Sequence, residues 1–141
     1  MKLRADVTLE SLNARGQGRL PGLVGMRVTG FTQGELEARL VVRPELLAPN
    51  GFLHAATVIA LADTACGYAC MAHLPDEGAN FTTLELKCNF LGTATEGELR
   101  VVARAAHLGR STQVWDATVL DERDRTLALF RCTQMVLHPR R

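Results

Sequence analysis

NGFLHAATVIALADTACGYACMAHL, residues 50–74, is the stretch of this chain that decides its fold. From about Leu53 to Leu74, apolar side chains recur at three- and four-residue spacing, which predicts one long helix. The helix is apolar on nearly all sides, as is typical of a helix that other structure encloses. The rest of the chain must therefore supply that enclosure.

One acid interrupts this apolar stretch. Asp63 is the only formally charged residue between Glu45 and Asp76. An ionised carboxylate in apolar surroundings is costly unless it is paired, hydrogen-bonded or protonated, so a fold that keeps one usually uses it. Asp63 is therefore a candidate catalytic residue. A solvated position at the helix edge, or a cap on a neighbouring loop, remains the structural alternative.

Strand patterns flank the helix on both sides. Residues 26–43 alternate with a period of two and predict two strands that meet at Gln33–Gly34. Four further strand-like runs follow the helix, at 80–91, 98–107, 112–121 and 126–137. Consecutive strands with short turns form an antiparallel sheet, and a long apolar helix must be buried on its face. We predict an α+β fold in which about five to six antiparallel strands wrap around one central helix.

The N-terminal segment, residues 1–20, is weakly helical over 7–17 and then rich in glycine and proline. GQGRLPGLVG, residues 16–25, is expected to form turns, and no strand-turn-helix unit follows that would support a dinucleotide site. The chain has 141 residues and no internal repeat, so we expect a single domain over 1–141 with a short tail at 139–141.

The composition is that of a soluble globular protein, with 47% hydrophobic and 22% charged residues and a formal net charge of +1. This balance leaves no basic surface for a nucleic acid. Residues 1–10 lack the apolar core of a signal peptide, and Asp63 and Gly67 interrupt the longest apolar stretch. We expect a cytoplasmic protein without a membrane partner.

No disulfide framework or metal site is predicted. The four cysteines show no C-x-x-C spacing and are expected to be reduced: Cys66, Cys70, Cys88 and Cys132. Asp63 and His73 would lie about 15 Å apart along a helix, which is too far to share one ion. Small buried cysteines are the better interpretation.

Three blocks carry a resemblance to a known family: LLAPNGFLHAATVIALADTACGYA (46–69), FTTLELKCNFL (81–91) and AAHLGRSTQVWDATVLDE (105–122). In order and spacing they resemble the hotdog-fold acyl-CoA thioesterases of the phenylacetic-acid-degradation type. The resemblance covers about residues 20–138. It implies hydrolysis of an acyl-CoA with a small aromatic or medium-length acyl group to the free acid and CoA. It also implies a homodimer or a dimer of dimers, and no cofactor, since coenzyme A is part of the substrate.

The family pattern around the central helix is Asn, then His-Gly-Gly, then an acidic residue nine positions after the His. The chain matches this pattern at Asn50, His54 and Asp63. It departs from the pattern at the two glycines, which are Ala55 and Ala56 here. The Ala55 methyl group is expected to crowd the thioester, which would lower activity or change the acyl preference without changing the fold.

Thioester hydrolysis needs a donor for the developing oxyanion and a carboxylate that attacks the carbonyl or activates water. The N-H of Ala55, at the helix start, is the candidate donor, and Asp63 is the candidate nucleophile or general base. Eight residues separate them, or about 12 Å along a helix, and His54 and Asp63 fall on opposite faces. We therefore expect the two groups of one site to come from two chains.

Two residues near the helix start have both a functional and a structural interpretation. His54 is expected to make an orienting hydrogen bond near the thioester carbonyl, with helix capping as the alternative. The resemblance implies that Asn50 positions the attacking water or the thioester. Its place between Pro49 and Gly51 is equally typical of an ordinary turn.

Either Thr82 or Thr83 could supply the hydroxyl that supports Asp63. Thr83 matches a family hydroxyl that supports the acid. Strand alternation instead places Thr82, with Leu84 and Leu86, on the face toward the core. Thr83 is preferred, and Thr82 is kept as a substrate-contacting candidate.

The phosphates and pantetheine arm of coenzyme A call for basic and backbone groups at the mouth of the site. Residues 107–112 match the family loop that lines this groove. Arg110 is the candidate, together with the backbone around Gly109, Ser111 and Thr112, and a solvated turn arginine is the alternative.

Two other functions remain possible from the sequence. A hotdog hydratase or dehydratase would pair a histidine with the acid as its proton-transfer couple. A non-catalytic acyl-CoA-binding protein would have lost hydrolysis through Ala55 and Ala56.

Overall fold

The computed structural model describes residues 1–75 and 79–140. Its elements follow in chain order: α1 (Leu9–Arg15), α2 (Leu20–Val24), β1 (Arg27–Thr32), β2 (Glu35–Val41), a 3₁₀ turn (Pro44–Leu46), α3 (Ala55–Ala72), β3 (Asn80–Phe90), β4 (Glu98–Leu108), β5 (Thr112–Leu120) and β6 (Thr126–Leu137). The predicted order of two strands, one long helix and four strands is confirmed. The ends of the four later strands agree with the prediction to within one residue.

The six strands form one antiparallel sheet in the order β1-β2-β4-β5-β6-β3. Helix α3 packs against β2, β3, β4, β5 and β6. The chain leaves β2 near one side, crosses the sheet as α3 and returns as β3 at the opposite edge. This is the hotdog arrangement, an antiparallel sheet wrapped around one long helix.

Helix α3 fits this enclosure because its side chains are small. Leu61, Ala62, Ala65 and Cys66 are fully buried. A Cβ added at Gly67 would lie 3.2 Å from the Phe81 ring, so this glycine lets β3 approach the helix backbone closely. By length and composition α3 could cross a membrane, but most of it is buried within this chain.

The N-terminal segment differs from the prediction at one point. Helix α1 begins at a capping box formed by Thr8 and Ser11, within the expected helical segment. Residues 20–24, predicted to be turn, form the short helix α2. Proline is favoured at a helix start, where its missing N-H costs nothing, and Pro21 occupies that place in α2. Gly25 ends α2 at φ +80°.

A buried polar network fixes the C-terminal end of α3. The Gly34 N-H donates to His73 Nε2 at 2.9 Å, so Nδ1 carries the hydrogen that it shares with the Ala69 carbonyl at 2.7 Å. The Gln113 amide donates to the His73 carbonyl and accepts from the Trp115 indole. These bonds hold the helix end to the β1–β2 hairpin and to β5.

The four cysteines are free. Asp76–Gly78, expected to end the helix together with Pro75, lie outside the described residues, as does the last residue of the predicted tail. His138, the residue before the predicted tail, contacts the Arg110 carbonyl through Nε2 at 3.1 Å.

Candidate active site

Asp63 lies near the middle of α3, on the side that faces β3, and it is half-buried. Burial raises the pKa of this carboxyl above its ordinary value, and the Thr83 hydroxyl opposes the shift from 3.5 Å. No cation contributes to the pKa of Asp63 among the described residues. A carboxylate that is partly desolvated and lacks a cationic partner is more basic than one in water. Asp63 can therefore take a proton or attack a carbonyl carbon.

The hydroxyl beside Asp63 belongs to Thr83, and the prediction that Thr82 lies on the core face is wrong. In the pairing with β6, Thr83 is opposite Gln134 while Glu85 is opposite Thr133, so Leu84 is an extra residue in β3. Such a bulge shifts the alternation by one position. Beyond it, Leu86 pairs with buried Cys132 and lies on the same face of the sheet, but its side chain is 39% exposed. Before it, Thr83 faces the helix and Thr82 is exposed.

Gln134 completes this arrangement and was missed at the sequence level. Its side chain is fully buried, and its Oε1 lies 2.9 Å from the Thr83 Oγ1. Its Nε2 donates to the sulfur of Cys132 at 3.3 Å. An amide in the apolar alternation of β6 was the available signal, because a buried amide requires partners.

The start of α3 presents a free donor. Ala55 is the first helical residue, and its N-H has no hydrogen-bond partner in the described part of the chain. The next N-H, that of Ala56, donates to His54 Nδ1 at 2.9 Å. His54 is therefore the helix cap, and its Nε2 carries the hydrogen. Ala55, Ala56 and His54 are all exposed, so a ligand can reach this end of the helix.

The helix start is held in place by neighbouring loops. The Thr57 hydroxyl donates to the Leu46 carbonyl at 2.9 Å, and the His54 N-H donates to the same carbonyl at 3.1 Å. Asn50 accepts from the Phe52 N-H at 3.2 Å, which is a turn of the ordinary Asx type. The side chain of Asn50 is exposed. Its expected contact with water or thioester stays a prediction.

The 109–112 turn lies toward the other end of α3. Gly109 donates to the Thr112 carbonyl, and Ser111 accepts from the Val136 N-H, both at 2.9 Å. The neighbouring Gln113 bonds to His73, just past the end of α3. Helix α3 is about 27 Å long, so the turn is remote from Ala55 of the same chain. The side chain of Arg110 is exposed.

Apolar side chains are exposed along β3, the edge strand whose Thr83 is in contact with Asp63. Leu84, Leu86 and Phe90 of β3 are 56%, 39% and 46% exposed. On the helix, Ile59 and Ala60 are half-buried one turn before Asp63. A surface cavity of about 340 Å³ includes Phe31 and Glu35, but it lies at the opposite edge of the sheet. A single chain thus leaves Asp63 beside an open apolar surface.

The structure brings together only part of the predicted set. Asp63 and Thr83 are in contact, and His54 and Ala55 are adjacent at the helix start. Asp63 and Ala55 remain about 12 Å apart along the α3 axis. The described residues bring no three His, Cys, Asp or Glu side chains together in a geometry that could hold a metal ion.

The chain matches the family model described as "Thioesterase superfamily" over residues 50–128. It is 33% identical over 138 residues to the 1,4-dihydroxy-2-naphthoyl-CoA hydrolase of Escherichia coli (strain K12), covering 95% of this chain and 98% of that protein. It is 31% identical to the proofreading thioesterase EntH of Klebsiella pneumoniae, covering 97% of this chain and 99% of EntH.

Solved structures agree with these sequence matches. A mutant of thioesterase PA1618 from Pseudomonas aeruginosa superposes with a TM-score of 0.92 at 30% identity, covering 97% of this chain and 99% of that one. Thioesterase HI1161 from Haemophilus influenzae gives a TM-score of 0.92 at 28% identity, covering 98% and 96%.

Proposed function

Because the chain belongs to the thioesterase superfamily and is a hydrolase, we propose that it hydrolyses an acyl-CoA thioester through Asp63 of one subunit and the Ala55 N-H of another. The observation that carries this proposal is the pairing of a partly desolvated acid with a free, exposed helix N-terminus. The two are too far apart to act on one carbonyl within a single chain.

The Ala55 N-H is suited to the oxyanion for two reasons. It has no intrahelical partner, and it lies at the positive end of the helix dipole. The Ala56 N-H already donates to His54 Nδ1. The Ala55 N-H is therefore the neighbouring backbone donor that remains free at the helix start. His54 Nε2-H, fixed by the cap, points a second donor away from the helix, in keeping with the expected orienting role near the carbonyl.

Asp63 can act in either of two ways. As a general base, it takes a proton from water while the water oxygen attacks the carbonyl carbon. The tetrahedral intermediate then expels the CoA thiolate, which takes up a proton, and the acyl group leaves as the free acid. As a nucleophile, the carboxylate attacks the carbonyl directly and expels the thiolate, and water then cleaves the resulting mixed anhydride.

The free edge of β3 supports a homodimer that completes the site. β3 is an 11-residue strand at the end of the sheet, and its apolar side chains are exposed. Native proteins usually protect such an edge, since it is a template for pairing. A second copy of the chain would cover Leu84, Leu86 and Phe90, and it would place the start of its own α3 near Asp63.

A small aromatic or medium-length acyl group is proposed as the substrate class. Two observations support it: the apolar surface beside Asp63, and the similarity to an enzyme whose name specifies a bicyclic aromatic acyl-CoA. For the CoA portion, we propose Arg110 and the backbone of residues 109–112, since Arg110 is exposed and the turn is well fixed.

One observation stands against a hydratase or dehydratase. Such an enzyme would pair a histidine with Asp63, but in the described chain the side-chain partner of Asp63 is Thr83. The nearest histidine in sequence, His54, uses Nδ1 to cap the helix, and the proposed site uses its Nε2-H at the carbonyl.

The test is thiol release from a panel of acyl-CoAs by the parent protein and by Asp63→Asn. We expect the parent to release CoA from aromatic or medium-chain esters, and Asp63→Asn to lose roughly 100-fold or more in rate. Equal hydrolysis by both proteins would contradict the role of Asp63. Tight binding of the esters by the parent without hydrolysis would identify a binding protein instead.

A further inference from the structure

Gln134 has a place beside the acid that neither the family pattern nor the sequence assigns. Its side chain is fully buried at the level of Asp63, on β6, directly opposite Thr83 of β3. Water cannot satisfy a buried amide, so its orientation is set by its protein neighbours. The Nε2 group donates to Cys132 Sγ at 3.3 Å, which leaves Oε1 to face the Thr83 hydroxyl.

Thr83 has two acceptors within reach but only one hydrogen to donate. Its Oγ1 lies 2.9 Å from Gln134 Oε1 and 3.5 Å from Asp63 Oδ1. Hydroxyl hydrogen bonds span roughly 2.5 to 3.0 Å, so the contact with Gln134 is the strong hydrogen bond and the contact with Asp63 is a weak one. The hydrogen therefore points to the amide rather than to the carboxylate.

From this geometry we infer that Gln134 is a positioning residue that takes the Thr83 hydroxyl hydrogen and thereby keeps Asp63 without a close donor. The inference rests on the proposed role of Asp63. A carboxylate without a donor is a stronger base and nucleophile than one that accepts a hydrogen bond. Thr83 then serves mainly to hold Asp63 in place, and from 3.5 Å its hydroxyl offsets only part of the effect of burial on the pKa of Asp63.

The other titratable groups around Asp63 do not replace the effect of the Thr83 contact on the pKa of Asp63. Cys66 of α3 and Cys132 of β6 face the acid, and burial raises the pKa of the Cys66 thiol, so that thiol stays neutral near pH 7. Glu85 and Lys87 of β3 are exposed on the other face of the sheet. Burial and Thr83 are the only causes that shift the pKa of Asp63 among the described residues.

The test compares Gln134→Met with a matched control, Gln113→Met. Gln113 is also fully buried and is directly opposite Gln134 in the sheet, but it bonds to His73 and Trp115. Two readouts are used on the whole protein: the acid limb of the pH profile for thiol release, and the carboxyl ¹³C titration of Asp63, assigned by its loss in Asp63→Asn. The NMR titration does not depend on activity.

In Gln134→Met the Thr83 hydrogen turns to Asp63, so both readouts should move to lower pH by about one unit. In Gln113→Met neither should move. In a Thr83→Val background, adding Gln134→Met should have no further effect, because the hydroxyl that transmits the change is gone. If Gln134→Met does not fold, Gln134→Val, whose side chain suits a strand, takes its place.

Several outcomes overturn the inference. They are an unmoved Asp63 titration in Gln134→Met, a movement to higher pH, an equal movement in Gln113→Met, or an effect that persists without the Thr83 hydroxyl. Absence of thiol release by the parent contradicts the proposed function instead, and the NMR titration still decides the role of Gln134.

Discussion

Thr83 faces Asp63 because Leu84 is an extra residue in β3. Without that bulge, the alternation that points Leu86 toward the helix would point Thr82 there as well. The hydroxyl beside the acid is thus placed by a local irregularity of the strand, and the next neighbour, Gln134 of β6, is placed by the register of β6 against β3. Bulges are frequent beside functional sites, where they redirect a side chain.

Asp63→Asn should make the folded protein more stable while removing its activity. Because burial raises the pKa of Asp63, ionisation of this group opposes folding. The folded state is favoured by the neutral carboxyl below the ordinary pKa of 3.8, and this advantage is lost as pH rises. We expect Asp63→Asn to unfold at higher denaturant concentration near pH 7.

The advantage of Asp63→Asn should fade near about pH 3, where both side chains are neutral in folded and unfolded chains. Denaturant titrations at the two pH values, at one protein concentration, check this. A variant less stable than the parent at neutral pH would show that Asp63 is held by favourable partners.

The sequence predicted the regular part of this molecule well. In β2, Leu36, Ala38 and Leu40 alternate with charged residues, and all three are fully buried. Such a pattern is decisive because one face of the strand meets the core and the other meets water. The long helix was equally clear, because a helix that is apolar on nearly all sides must be buried against the sheet.

Local irregularities and side-chain partners were not accessible in the same way. The bulge at Leu84 cannot be detected from the alternation of apolar and polar residues. Leu84 is apolar but 56% exposed, because β3 is at the sheet edge. Helix α2 was missed because its Gly and Pro content suits turns as well as a short helix. Gln134 and Thr83 are 51 residues apart, and their contact depends on strand pairing.

Ala55→Gly tests whether the Ala55 methyl group limits access to the oxyanion donor. The substitution keeps the N-H and removes the Cβ, so we expect faster turnover or a broader acyl preference. It should also cost stability, by up to about 1 kcal/mol, because glycine is a poorer helix former. Thiol-release kinetics and denaturation measure the two effects. If turnover and substrate binding are both unchanged, the methyl group does not crowd the thioester.

His73 should make the protein sensitive to mild acid. Burial lowers the pKa of His73 below 6.5, and its Nε2 must stay unprotonated to accept the Gly34 N-H. A lowered pKa means that the stabilisation is complete above the unfolded value and is lost as pH falls toward the folded value.

Between about pH 7.5 and about pH 5.5, the parent should therefore lose more free energy of unfolding than His73→Gln, whose amide does not titrate. Denaturant titrations at both pH values check this. Equal pH dependence of the two proteins would show that His73 does not titrate differently on unfolding.

Leu86→Lys should disrupt the proposed homodimer. Leu86 lies on the edge strand β3 and is 39% exposed, so a second chain would bury it and a lysine there would carry an unpaired charge into the interface. Leu129→Lys is the matched control, since Leu129 is 48% exposed on β6, an interior strand. We expect sedimentation to show smaller particles, and thiol release to fall, in Leu86→Lys alone. Intact dimers of Leu86→Lys would place the interface elsewhere.

A mixed dimer tests directly whether one site uses two chains. Ala55→Pro removes the candidate N-H donor without breaking α3, because proline is favoured at the first helical position. The preceding residue, His54, already has the extended backbone that a following proline requires, with φ −66° and ψ 134°. Homodimers of Ala55→Pro and of Asp63→Asn should each be nearly inactive.

When the two variants are co-expressed with different tags and the mixed dimer is purified, one site combines the intact Ala55 of one chain with the intact Asp63 of the other. The second site carries both defects. The mixed dimer should therefore recover about half of the parent activity per dimer. If each site belonged to a single chain, every site in the mixed dimer would carry one defect, and its activity would equal that of the inactive homodimers.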